Sequence, residues 1–318
     1  WRIRKIGASL GRFKRPAPET IPEGPVPGAI PESPAPETIP DEFPPISQFL
    51  AEGFVRPVPE AIPEGFVSIT QFLAEDIFVV GYPKSGNTWF QNLVSGVVYG
   101  VDPRFAPSAL AHDLVPDLSY NKYYRRYATP MFFKSHDLPR AEFRRVVYLL
   151  RDGRDAMVSY RHYREAIEGV DHDFLKFVSP ESQLYPCHWA EHVEAWTQNP
   201  YRAQMLVIKY EDLLREPERE LRRFCQFAGI SRETNHLTTI AKAASFRTLR
   251  DKEARMGFGR PDHNFPPDTF FFRRGVAGSY KDEMPPEALE RFLEHAGDTL
   301  RRFGYDTGEL GEEKPPAS

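Results

Sequence analysis

Lys84, Lys134, His136 and Arg151 each stand at or near the end of an apolar, strand-like run, where the chain turns into a loop or a helix. Cations and an imidazole in such places can gather around one anion. The first lies in FVVGYPKSGNTWFQNLV, Phe78 to Val94. Strand-like residues there enter a glycine-containing loop, and the loop enters a helix with Phe90, Leu93, Val94, Val97 and Val98 on one face. The backbone N–H groups of Ser85 to Thr88 are then expected at a helix N-terminus, where unsatisfied donors and the helix dipole attract anions. Ser85, Asn87 and Thr88 add neutral donors, and Lys84 adds a point charge. Gly81 to Thr88 has the spacing of a Walker A loop, but Asn87 takes the place of the lysine that an NTP-binding loop needs. Trp89, directly after the loop, suits a nucleotide better than a bare turn does.

FFKSHDLPRAEF, Phe132 to Phe143, carries Lys134 and His136 at the end of a strand. A histidine near its usual pKa of about 6.5 can act as general base toward an alcohol or amine. It can equally be a hydrogen-bonded structural residue. In VVYLLRDGRDAMVSYRHY, Val146 to Tyr163, Arg151 and Ser159 can hold a second phosphate, the arginine as a bidentate fork and the serine as a neutral donor. The alternative is that Arg151 pairs with Asp152 or Asp155. FFFRRGVAGSYK, Phe270 to Lys281, adds Arg273, Arg274 and Gly275 in a cationic loop able to close over an anion.

Four apolar runs must position these residues: Ile77 to Tyr82, Met131 to Lys134, Arg145 to Leu150 and Met205 to Tyr210. Helices are expected over Gly86 to Val98, Gly153 to Ile167, His188 to Thr197, Glu216 to Ala228 and Pro286 to Phe303. In the fourth helix Leu221, Phe224, Cys225 and Ala228 form one stripe closed by Gly229, which makes Cys225 a core residue. Strands alternating with helices give an α/β class: one domain, with a central mostly parallel sheet flanked by helices and ligands bound beyond the carboxyl ends of the strands.

The 318 residues suffice for such a domain, and the formal charge of −4 gives no basic surplus for a nucleic-acid partner. Cys187 and Cys225, the only cysteines, support neither a disulfide framework nor a thiolate metal site. A reducing, cytoplasmic compartment is expected, and no apolar run approaches the roughly 20 residues of a membrane span. Residues 1–15 read as a basic tail, WRIRKIGASLGRFKR, with a membrane-surface role as the alternative; the start at Trp1 suggests a cut or processed chain. Residues 16–66 read as a proline-rich linker or arm in which PAPETIP occurs twice. ISQFLAE, Ile46 to Glu52, returns as ITQFLAE, Ile69 to Glu75, and only the second copy is expected to join the core. Residues 67–307 form the expected domain, and residues 308–318 a C-terminal tail.

Together the four segments, from about Ile77 to Phe303, resemble those of the cytosolic-type sulfotransferases. That family transfers a sulfuryl group from 3′-phosphoadenosine 5′-phosphosulfate (PAPS) to a hydroxyl or amine without a metal. YPKSGNTW resembles its P-loop-like phosphosulfate loop, KSH its catalytic histidine strand, RDGRDAMVSY its 3′-phosphate site and RRGVAGSYK its closing loop. WAEHVEAW and YEDLLREP resemble further family segments. The resemblance implies that His136 is the base and that Lys84 and Lys134 stabilise charge at the transferred group. It implies that Lys84, Ser85, Gly86, Asn87, Thr88 and Trp89 hold the donor's phosphosulfate end. Arg151, Ser159, Arg273, Arg274 and Gly275 would hold its 3′-phosphate, and Trp89, Tyr210 and Phe246 its adenine.

The chain departs from the family pattern in four places. Asn87 replaces a threonine, GSYK replaces GDWK, Ala244 stands where a threonine is frequent, and KDEMPPEALE has two prolines where the family's dimerisation segment has Thr-Val. The prolines argue against that dimer, and the oligomeric state is open. The rival readings are a phosphotransferase with an altered Walker A loop and a nucleotide-binding module without catalysis. For the acceptor, a small molecule, lipid or carbohydrate, a lining is expected from Phe105, Tyr120, Tyr123, Tyr124, Tyr127, Phe174, Phe177 and Tyr185.

Overall fold

The structure, a computed structural model, describes residues 62–258, 265–266 and 269–307. The basic tail, nearly all of the proline-rich segment, the first ISQFLAE copy and the C-terminal tail lie outside the described residues. Strands run over β1 (Val67–Ser68), β2 (Ile77–Gly81), β3 (Tyr123–Tyr124), β4 (Phe132–Ser135), β5 (Arg145–Leu150) and β6 (Gln204–Lys209). The first helices are α1 (Asn87–Tyr99), α2 (Ser108–Leu114), α3 (Gly153–Glu168), α4 (Phe174–Val178) and α5 (Trp189–Gln198). The remaining ones are α6 (Tyr210–Arg215), α7 (Pro217–Ala228), α8 (Thr234–Ala243), α9 (Phe246–Met256), α10 (Tyr280–Glu283) and α11 (Pro286–Arg302).

Four strands form one parallel sheet in the order β4-β2-β5-β6, and β1 and β3 pair separately as a short antiparallel ribbon. β2 is central because all five of its residues are buried, and it is in register with Phe132 of β4 and Arg145 of β5 at Ile77. Its side chains alternate between two apolar layers, as a strand's period of two requires. Ile77 and Val79 enter the layer with Phe90, Leu93, Leu221 and Phe224 of α1 and α7. Phe78 and Val80 enter the opposite layer with Met157, Trp189, Trp196 and Phe292 of α3, α5 and α11. This parallel α/β architecture agrees with the expected class.

All four expected strands and five expected helices form, with ends shifted by a residue or so. α2, α4, α6, α8, α9 and α10 were not expected. The second repeat copy does join the core, since the Phe72 ring packs edge-on against Phe78 and Phe133 at 4.9 and 5.0 Å. β6 is less covered than the other three strands of the sheet. It is an edge strand with Gln204 and Val207 exposed, and only Ile208 along its length is fully buried.

Candidate functional site

The carboxyl ends of β2, β4 and β5 bring the predicted residues to one edge of the sheet. After β2 the chain turns sharply: Lys84 adopts φ 67°, Gly86 adopts φ 99°, and helix α1 starts at Asn87. Gly86 is required twice over, by its left-handed backbone and because a Cβ there would lie 2.9 Å from the Tyr210 ring. The Ser85 N–H donates to Tyr82 O at 3.0 Å and closes the turn. It is therefore not among the anion-facing donors, which corrects the expectation for this residue's backbone. Phe90 N–H already bonds Gly86 O, leaving the N–H groups of Asn87, Thr88 and Trp89 as the helix's unsatisfied first turn. The Ser85 hydroxyl is buried without a partner.

Asn87 is placed differently from the expectation of a ligand-facing donor. Its side-chain amide donates back to Gly81 O and Ser135 O at 3.5 and 3.4 Å, so it ties the ends of β2 and β4 together. The Trp89 indole N–H is likewise used, donating to Ala244 O at 2.8 Å, and the ring meets Tyr210 edge-on at 5.6 Å.

Lys84 is half-buried, with Nζ 3.7 Å from the Phe271 ring centre and 4.6 Å from that of Tyr163. Desolvation, then the charges of Lys134 and Arg151, bring its pKa down to about 7. Lys134 is buried and lies between the Asp117 carboxylate at 2.9 Å and the Thr88 hydroxyl at 3.4 Å. His136 Nδ1 is 2.7 Å from Gly81 O, a contact that fixes the proton on Nδ1 and leaves Nε2 with its lone pair. Burial, reinforced by Lys134, lowers its pKa to about 4.

Behind His136 stands a group that the residue-by-residue reading missed. His192 is fully buried on α5, with Nε2 3.1 Å from His136 O and Nδ1 2.9 Å from the Tyr148 hydroxyl. The hydroxyl donates to Nδ1, and Nε2–H donates to the carbonyl. Four residues along, Trp196 donates to Asp137 O at 3.0 Å. The signal was present in WAEHVEAW, whose positions 189, 192 and 196 share one helical face.

Arg151 departs from one of the two readings offered for it. It pairs with neither aspartate: it donates to Lys84 O at 2.9 Å and Val276 O at 3.2 Å, lies 4.3 Å from the Tyr210 ring centre and keeps Nε buried without a partner. Asp152 is taken by Arg154 at 2.7 Å. Asp155 accepts from Gly278 N, Tyr280 N and the Ser279 hydroxyl at 2.6, 2.9 and 3.1 Å. Ser159 lies further along α3, partly exposed. Gly275, at φ 64°, lies directly against Phe246, since a Cβ there would fall 2.1 Å from that ring. Arg273 and Arg274 both engage Glu283.

The aromatic set expected to line one acceptor crevice is dispersed. Phe174, Phe177 and Tyr124 belong to the core. Tyr123, Tyr124 and Tyr127 line a separate cavity of about 290 Å³ with Phe66, Asp113 and Arg125. Phe105 and Tyr120 are exposed. Tyr185 is tied to the residue after His136, with its hydroxyl 3.4 Å from Asp137 Oδ1 and 3.2 Å from Ser119 Oγ. Aromatic composition says nothing about which face a ring takes, so the sequence could not sort them.

Among the described residues no cluster of three or more His, Cys, Asp and Glu side chains could hold a metal ion, and no helix is long and apolar enough to cross a membrane. A strand-turn-helix anion cradle, flanked by an imidazole and several cations at the edge of a parallel sheet, defines an α/β group-transfer enzyme. The family model described as Sulfotransferase domain matches residues 74–304, and the chain belongs to that family of sulfotransferases.

Relatives include a 3-beta-hydroxysteroid sulfotransferase of Cavia porcellus, 24% identical over 232 residues, covering 68% of this chain and 80% of the relative. Cytosolic sulfotransferase 11 of Arabidopsis thaliana is 29% identical over 252 residues, covering 69% and 71%. Among solved structures, retinol dehydratase in complex with retinol and PAP matches with TM-score 0.57 and 20% identity, over 74% of this chain and 83% of that one. A mouse sulfotransferase complexed with PAP gives TM-score 0.52 and 21% identity over 73% and 87%. These two likenesses bear on the fold. Family membership decides for sulfuryl transfer against the phosphotransferase alternative.

Proposed function

We propose that this sulfotransferase takes its sulfuryl group from PAPS and passes it to a hydroxyl or amine of a small-molecule acceptor, with His136 as general base. The observation that carries the reading is the fixed His136 tautomer, with Nδ1–H on Gly81 O and a free Nε2 beside Lys134. The buried, unpartnered Ser85 hydroxyl and Arg151 Nε are the orphaned polar atoms that a ligand with anionic groups at two ends would satisfy. PAPS supplies an electrophilic sulfur on a phosphate leaving group.

The chain's own residues do the rest. The N–H groups of Asn87, Thr88 and Trp89, with Ser85 and Lys84, bind the phosphosulfate end. Arg151, Ser159, Arg273, Arg274 and the Gly275 backbone take the 3′-phosphate. Trp89, Tyr210 and Phe246 flank the adenine. His136 Nε2 accepts the acceptor's proton; its low pKa keeps it unprotonated near neutrality, and the added anionic charge of a bound donor would move that pKa back up. Lys84 and Lys134 neutralise charge growing on the leaving oxygen. Hydroxysteroid-named relatives support a small-molecule acceptor. As domain limits we propose residues 67–307, consistent with the family match over 74–304.

Calorimetric titration tests the reading. Tight binding of 3′-phosphoadenosine 5′-phosphate in chelator, with weak binding of magnesium ATP, is expected. Preference for magnesium ATP would overturn the donor assignment.

A further inference from the structure

The closing loop carries a charge arrangement that the donor-binding role does not explain. Its backbone is held at both ends. Glu253 of α9 accepts from the N–H groups of Phe271 and Phe272 at 2.6 and 3.0 Å. Asp155 of α3 accepts from Gly278, Ser279 and Tyr280. Between these anchors Arg250 donates to the Arg273 carbonyl. The side chains of Arg273 and Arg274 therefore project from a span whose backbone is anchored on both sides.

Both side chains converge on one carboxylate. Arg273 grips Glu283 with both terminal nitrogens, at 2.5 Å to Oε2 and 3.0 Å to Oε1. Arg274 donates to Oε1 at 2.6 Å, and His162 Nε2 lies 2.9 Å from Oε2. The Arg273, Arg274 and His162 hydrogen bonds hold the carboxyl down at about 2 despite its partial burial, so Glu283 is anionic near neutral pH. Two guanidiniums and an imidazole around one oxyanion are the donors a phosphate monoester would recruit. A carboxylate and a phosphate cannot both take the full set. They also repel each other, so the acid opposes the ligand even where both find partial contacts.

We propose that Glu283 competes with the donor's 3′-phosphate for Arg273 and Arg274, and so sets how strongly the enzyme distinguishes a 3′-phosphorylated nucleotide from one without that group. The inference rests on the donor-site reading above. It differs from a purely structural role in the sign of its effect. If Glu283 merely held the arginines in place for the phosphate, its removal would weaken binding. As a competitor, its removal strengthens binding, because the arginines are no longer engaged by a carboxylate for most of the time.

The test compares 3′-phosphoadenosine 5′-phosphate with adenosine 5′-phosphate by calorimetry on the full chain. Glu283→Gln is expected to tighten the first about tenfold and to leave the second within about twofold. Glu283→Asp keeps the charge but shortens the arm, so it is expected to give a smaller gain for the same nucleotide, and it carries the test if the glutamine variant does not fold. Unchanged or weakened binding of the 3′-phosphorylated nucleotide, or an equal gain for both, overturns the proposal. Wild-type protein that does not discriminate between the two nucleotides overturns the donor-site reading and this inference together.

Discussion

The cations around the cleft fall into two groups. Lys134, Arg273 and Arg274 are each within salt-bridge distance of a carboxylate, from Asp117 or Glu283. Lys84 and Arg151 have no carboxylate at that distance among the described residues; they are held by ring faces and main-chain oxygens. A partly buried cation without an acid is costly, and sites of that kind are characteristic of function. The difference separates two ways of preparing for an anion. Neither Lys84 nor Arg151 has its charge cancelled by an acid, so an arriving anion displaces no carboxylate from them. The paired residues are stable alone but must exchange one anion for another.

The largest effect expected lies at the point between the two groups. His136→Ala should cut turnover by roughly 10²- to 10⁴-fold, the range of a lost general base, while nucleotide affinity stays nearly constant. Loss of affinity with turnover preserved at saturation would remove His136 from that role. The contrast between the cation groups is sharpened by Arg151→Ala against Arg273→Ala. Loss of charged hydrogen bonds from an uncompensated arginine should weaken 3′-phosphoadenosine 5′-phosphate by roughly fiftyfold. Arg273→Ala should cost about tenfold or less, because that arginine already divides itself between Glu283 and the ligand. Equal losses would erase the distinction, and equal weakening of adenosine 5′-phosphate by Arg151→Ala would take Arg151 out of the 3′-phosphate site.

The pattern of these sites in the sequence explains what was legible there. β2 and α1 announce themselves through an apolar run, a glycine and a helical stripe, all local signals, and Lys84, Gly86 and Arg151 follow from their places at element ends. Pairing across the fold is not local. Nothing in the spacing of RRGVAGSYKDE says that Glu283 folds back onto Arg273 and Arg274, or that Asp117 meets Lys134 from a segment outside the four expected strands. The Asn87 amide shows the same limit: residue type made it a donor, but the proximity of Gly81 O and Ser135 O decides where it donates. His192 meets His136 through a backbone carbonyl, and that contact requires α5 and the end of β4 to be placed first.

The smallest effect expected is a pH dependence above neutrality, and it is carried by Lys84. With its pKa lowered to about 7, Lys84 is largely charged at pH 6 and largely neutral at pH 8. An anion at the loop favours the charged form, so binding above pH 7 must take up a proton, and affinity falls as pH rises. Between pH 7 and 8 a single such group reduces affinity by about fivefold, and at higher pH by at most about tenfold per unit. Calorimetry of 3′-phosphoadenosine 5′-phosphate in buffers of different ionisation enthalpy reads the proton directly. Uptake should approach one per site near pH 8.5 and vanish in Lys84→Arg, whose guanidinium stays protonated throughout. Proton uptake persisting in Lys84→Arg would place the titrating group elsewhere and dissolve the distinction between the two sets.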